Sequence, residues 1–174
     1  FTALLRLRSA LSSGDQAELE RASGLLDDAF DKVNFSRAEI GARNSLTLLV
    51  LKLAAPGVPD IYWGNEDWDL SLVDPDNRRP IDFTARAESA KYAITKAGLQ
   101  LRRRDPDLFA HGAYVPLETA GHHADRVLAF ARVYEGRWAL AAVSRLTEGL
   151  EGWDDTRVVL PEGASERWHD VLTD

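Results

Sequence analysis

The stretch LTLLVLKLAAPGVPDIYWGNEDWDLSLVDPDNRRP, Leu46 to Pro80, decides how this chain is read. Its opening decapeptide is apolar nearly all round, so a helix here should be buried by neighbours on more than one side. Pro56 stops that helix, because proline offers no N–H and its ring collides with the preceding turn. Gly57 to Trp63 then reads as a short buried strand, bounded by Pro59 and Gly64. A long polar and aromatic loop follows. Loops of that length inside a compact domain are usually functional or disordered.

Working toward the N-terminus, apolar residues keep recurring at helical spacing. Leu4, Leu5, Leu7 and Leu11 form one cluster, which Ser12-Ser13-Gly14-Asp15 interrupts. Ser13 with Gln16 fits a capping box, and Leu19, Ala22, Leu26 and Ala29 mark the helix that it would open. Ser36 with Glu39 is a second such box, expected to open a separate helix through Ile40, Leu46, Leu49, Val50 and Leu53. Toward the C-terminus, Ala90, Ile94, Ala97 and Leu101 predict a further helix ending in Arg102, Arg103 and Arg104. Positive charge suits the carbonyl end of a helix dipole, and Asp105-Pro106 terminates the element.

From Ala113 the apolar period changes to two. Tyr114 to Glu118 is a strand candidate, and Val127 to Tyr134 with Arg137 to Val143 flank a tight Glu135-Gly136 hairpin. Leu128 and Phe130 share one face of that hairpin, while Val127, Ala129, Ala131 and Val133 share the other. Both faces are largely apolar, so both should be covered. Arg157 to Leu160 and Trp168 to Leu172 predict further short strands, which makes the C-terminal third a small antiparallel sheet.

Composition narrows the function classes. Lys and Arg total 21 against 28 Asp and Glu, a formal net charge of −7. An acidic surface repels phosphate backbones, so nucleic acid is not an expected partner. Without Cys there is no disulfide framework, Cys-ligated zinc or thiol nucleophile. No apolar run reaches the roughly 18 residues that cross a bilayer, and no membrane partner is expected. The absence of a signal-peptide layout predicts a cytoplasmic location. A chain that opens on Phe1 and contains no Met reads as a processed protein or a piece of a larger one.

Some residues carry chemistry in principle but lack a convergent pattern. His122 and His123 are adjacent in a Gly-His-His-Ala-Asp turn, and side chains one apart do not converge in a helix or strand. They read as a solvated turn, with no metal expected. His111 and His169 stand isolated, Ser144 has no triad pattern around it, and no Gly-rich phosphate loop occurs. No cofactor is expected.

The run PGVPDIYWGNEDWDLSLVDPDNRRPIDF, Pro56 to Phe83, resembles maltooligosyltrehalose synthase, a family of the alpha-amylase superfamily. NSLTLLVLKLAAPGVPDIYWGNE is similar to that family's last barrel strand and the helix before it. WDLSLVDPDNRRP is similar to the substrate-side loop that follows. LRRRDPDLFAHGAYVPL, the AFARV strand and the ending W-x-D-V-L-T at Trp168 to Thr173 resemble the family's C-terminal sheet domain. Two departures stand out: FTARAESA replaces a longer insertion between Pro80 and Lys91, and residues 1–35 match poorly.

The resemblance implies an α+β chain. Residues 1–105 would be a helical segment with the last strand/helix unit of a (β/α)8 barrel and its substrate-side loop. Residues 106–174 would be a small antiparallel β-domain. A complete barrel needs about 250 residues, which 174 residues cannot supply. The family isomerises the reducing-end α-1,4 linkage of a maltooligosaccharide to α,α-1,1 by intramolecular transglucosylation. Its catalytic carboxylates lie on earlier barrel strands, so no catalytic residue is expected in this chain.

What remains is one wall of a sugar site. Tyr62, Trp63 and Trp68 offer aromatic faces to a pyranose, or else pack in a core. Glu66, Asp74, Asp76 and Asn77 offer hydrogen bonds to hydroxyls, although Asp-Pro-Asp-Asn is also a strong turn former. Arg78 and Arg79 each carry a fork of donors for sugar oxygens or for a loop-fixing carboxylate. The expected partner is a maltooligosaccharide in the full enzyme. Alternatives are a non-catalytic glucan-binding module, or a structural domain that self-associates through apolar faces around Leu46–Leu53 and residues 58–63.

Overall fold

The computed structural model describes residues 2–64, 66, 68, 80 and 89–173. They cluster into two units, Phe1–Asn44 and Ser45–Asp174.

The first unit is helical. Helix α1 spans Thr2–Ser13, and α2 spans Gln16–Ala54, extending into the second unit. Gly14 separates them with a left-handed backbone at φ +67°, where a side chain would be strained. The cap of α2 differs from the expected Ser13 box. Asp15 Oδ1 accepts from the backbone N–H groups of Ala17 (2.9 Å) and Glu18 (3.3 Å). The Ser13 hydroxyl instead donates back to Ala10 O at 3.1 Å. A carboxylate at this position satisfies two open N–H groups and complements the positive end of the dipole.

The second predicted box opens nothing. Ser36 lies inside α2, and Glu39 pairs with Arg43 one turn on, at 2.6 Å. No proline interrupts residues 16–54, and Gly24 and Gly41 cost a helix only about 1 kcal/mol each. Propagation across Ser36 is therefore cheaper than ending one helix and nucleating another. Ala10 and Ala22 are buried in this unit, whereas Phe30, Val33, Phe35 and Ile40 are exposed.

The second unit begins with the last turns of α2. Leu49 and Leu53 are buried, but Leu48 is 65% exposed, so the apolar decapeptide is covered on one side rather than all round. Thr47 Oγ1 donates to Ser144 O at 3.3 Å and anchors α2 to the sheet. Helix α3 spans Ala90–Arg104, with Ser89 Oγ accepting from Tyr92 N at its start. Helix α4 follows over Pro106–His111 and was not expected from periodicity, being only six residues long. Asp105 serves both helices. Its N–H donates to Leu101 O, closing α3, and its carboxylate accepts from Leu108 N, opening α4 with Pro106 in the first turn.

The triplet Arg102–Arg104 does more than complement its own helix. Arg102 reaches across to the end of α2, donating to Leu53 O at 2.8 Å and Gly57 O at 2.7 Å. It thus satisfies one of the carbonyls left open in the last turn of α2 and one in the turn that follows. Gly98 lets α3 approach closely: a Cβ there would meet Leu53 Cδ1 at 2.7 Å.

Strands β1 (Ala113–Leu117), β3 (Val127–Tyr134) and β4 (Arg137–Ser144) form an antiparallel sheet in the order β1-β3-β4. Glu135 (φ 48°) and Gly136 (φ 76°) are both left-handed, the geometry of the type I′ turn that matches strand twist. Both faces of β3 are covered at mid-strand: Ala129 and Ala131 are buried on one side, Phe130 and Arg132 on the other. Arg132 donates to Phe109 O and Gly112 O, tying α4 to the sheet. Its Nε and Nη1 have no partner among the described residues. A second sheet pairs β2 (Thr119–Ala120) with β5 (Arg157–Val158) through two residue pairs.

Two predicted strands do not form. Residues 57–63 have irregular backbone, and Val58 is 94% exposed. A barrel strand draws its hydrogen bonds from parallel neighbours. None pairs with this segment among the described residues. Residues 168–170 have irregular backbone and lead into a turn over 171–173, where Asp170 Oδ1 accepts from Leu172 N at 2.9 Å. The predicted Arg157–Leu160 strand contracts to β5.

Candidate functional site

The segment after α2 carries the described part of the predicted sugar wall. Pro56 and Gly57, the latter at φ +112°, turn the chain out of the helix, and Arg102 pins that turn. Tyr62 and Trp63 follow with 62% and 80% of their surface exposed. Neither side chain packs into a core among the described residues. The Tyr62 hydroxyl hydrogen-bonds Asp60, and that carboxylate raises the phenol's pKa.

Gly64 and Glu66 close a local turn: Glu66 Oε2 accepts from Gly64 N at 2.7 Å. Part of the Glu66 carboxylate is therefore engaged in shaping the loop. Trp68 has the Lys91 ammonium 5.6 Å from its ring centroid, a cation–π contact that links the loop to the first turn of α3. Asp74, Asp76, Asn77, Arg78 and Arg79 lie outside the described residues.

A separate cavity of about 580 Å³ opens between α2, α3 and β4, lined by Leu53, Ile94, Leu101, Leu140, Leu160 and Trp168 among others. Its walls are predominantly apolar. His169 and Asp170 stand at its wall.

Residues 121–126 and 153–156 meet at one end of the β2–β5 sheet. There His122 and His123, read from sequence as a solvated turn, do converge: their ring centroids are 4.5 Å apart and nearly perpendicular. The alternation that separates neighbouring side chains in a strand does not apply to a turn. Asp154, far away in sequence, joins them, with His123 Nε2 at 3.3 Å from Asp154 Oδ2. Only the antiparallel closure of residues 119–158 brings this group together, and no local spacing signals it.

No family model matches the chain. It is 46% identical over 138 residues to proteins from two strains of Mycobacterium tuberculosis, each named as a maltooligosyl trehalose synthase. That match covers 75% of this chain and 17% of the relative. A cyclomaltodextrin glucanotransferase from Niallia circulans is 27% identical over 161 residues, covering 92% of this chain and 21% of that enzyme. Among solved structures, a mutant maltooligosyltrehalose synthase from Arthrobacter ramosus superposes with a TM-score of 0.65 at 34% identity. It covers 85% of this chain, which spans 23% of that enzyme. The chain is thus similar, over most of its own length, to the C-terminal portion of maltooligosyltrehalose synthase.

Proposed function

We propose that this chain is the C-terminal part of a maltooligosyltrehalose synthase. The whole enzyme would convert the reducing-end α-1,4 linkage of a maltooligosaccharide to α,α-1,1 within one molecule. The observation that carries the reading is the 46% identity over 138 residues to proteins of that name. In the whole enzyme, residues 1–105 would complete the barrel and 106–174 would cap it. Residues 57–63, irregular here, would pair once neighbouring strands are present.

The chain's contribution is to bind sugar rather than to break the linkage. Trp63, and Tyr62 beside it, would stack on the apolar face of a pyranose, and their exposure supports this role. Trp68 and Glu66 would flank that platform. Asp74, Asp76, Asn77, Arg78 and Arg79 would hydrogen-bond the hydroxyls. Retaining transglycosylation needs two carboxylates about 5–5.5 Å apart across the scissile bond. Those groups would come from the upstream part of the enzyme. The purified chain incubated with maltopentaose should therefore give no trehalose-ended product. Turnover by the chain alone would overturn the assignment of the catalytic groups elsewhere.

The exposure of Trp63 also favours a second reading, a non-catalytic glucan-binding module. Calorimetric titration with maltopentaose separates the two: saturable binding that Trp63→Ala abolishes would favour a module, and no binding would favour an incomplete site.

A further inference from the structure

We propose that His122, His123 and Asp154 form a binding site for one divalent transition-metal ion, zinc by its donor set. The ion would fasten the two loops at the end of the β2–β5 sheet. This site is separate from the sugar wall and does not depend on the glucan reading.

Each residue offers one ligand atom, and the three atoms lie within 4.8 Å of one another. Zinc bonds of about 2.0–2.1 Å in a tetrahedron set ligand–ligand edges of about 3.3 Å. The 3.3 Å separation of His123 Nε2 from Asp154 Oδ2 already matches such an edge. The His122 ring has to swing by about an ångström or so to close the third, a side-chain rotation of the kind exposed residues make freely.

The backbone beneath the cluster is held by the loop that supplies Asp154. His122 N–H donates to Asp155 Oδ1 at 2.8 Å, and His123 N–H donates to Thr156 Oγ1 at 3.1 Å. Gly121 sits so close that a Cβ would lie 2.5 Å from Asp155 O. The backbone that carries both histidines is therefore fixed before any ion arrives, which lowers the cost of ordering the site on binding. Asp154 is largely exposed, so water can fill the remaining coordination position.

The donor set selects among cations. Two imidazoles and one carboxylate suit zinc, nickel or copper, whereas magnesium and calcium prefer all-oxygen cages. A sheet of two residue pairs has little intrinsic stability, and a bridging ion would lock its loops in register.

The test is calorimetric titration of the EDTA-stripped chain with zinc chloride, with magnesium chloride as comparator. The site predicts one saturable zinc equivalent, no comparable magnesium binding and a rise in melting temperature. Asp154→Asn keeps a residue that tolerates the left-handed backbone there (φ 46°) and should weaken zinc binding by about tenfold or more. His122→Ala and His123→Ala should do the same, and His111→Ala should not. Cobalt substitution should give the visible absorption of a low-symmetry site, lost in His123→Ala. Absence of saturable zinc binding, several weak equivalents, or affinity unchanged in Asp154→Asn would each overturn the proposal and leave His123–Asp154 as a simple ion pair.

Discussion

Asp170 shows how one carboxylate shapes a terminus. It accepts from Leu172 N–H at 2.9 Å and from the Thr173 hydroxyl at 2.8 Å. Those bonds favour the ionised form and hold its pKa below the ordinary carboxylate value. A pKa depressed by folding adds stability above the unfolded value, near 3.9, and that stability is lost as pH falls through the folded value. Asp170→Ala should therefore lower the melting temperature at neutral pH. The gap between variant and parent should close as pH falls through the folded pKa, which lies below the ordinary carboxylate value. Thermal melts over an acid series measure it, and a gap that persists unchanged in acid would contradict the role. Arg102 makes a different point about single residues. Its place after Leu101 shows a cation at a helix end, but its hydrogen bonds run to Leu53 and Gly57, about fifty residues back. Burial beside Phe109, and then repulsion from Arg132, lowers its pKa. Sequence spacing identifies the charge and cannot identify the acceptor.

At the scale of elements, legibility follows the strength of local signals. The β3–β4 hairpin is readable because alternation and a Glu-Gly turn point the same way. Gly136 occupies φ +76°, so Gly136→Ala should destabilise the chain by about 1 kcal/mol, measurable by urea unfolding. An unchanged unfolding midpoint would contradict the turn assignment. Helix α3 is equally readable from the apolar spacing of Ala90, Ile94, Ala97 and Leu101. The failures have distinct physical origins. Ser36 and Glu39 fit a cap sequence, but a cap competes with a continuing helix, and nothing there stops α2. Helix α4 is too short for periodicity to register. Residues 57–63 have the composition of a buried strand, yet composition supplies no hydrogen-bond partner. Trp63 was legible as a candidate from residue type, and its side chain is exposed. The His122–His123–Asp154 group was illegible, because its members meet only through the β2–β5 pairing.

For the whole molecule, surface apolarity is the feature that asks for an explanation. Phe30, Phe35, Leu48 and Val58 all keep most of their surface in water. No helix among the described residues is long and apolar enough to cross a membrane. The chain spans 17% to 23% of the length of the synthases it matches, and under the proposed function the rest of such an enzyme would cover faces of this kind. The most direct measurement grafts these 174 residues onto the upstream part of the Arthrobacter ramosus synthase, in place of the matching C-terminal portion. The assay is formation of a trehalose-ended product from maltopentaose, with the parent synthase alongside. The account predicts that the graft is active and that Trp63→Ala within it reduces kcat/KM by about tenfold or more, the loss of a ring contact worth about 1.4 kcal/mol. A graft that folds like the parent but forms no such product would contradict it.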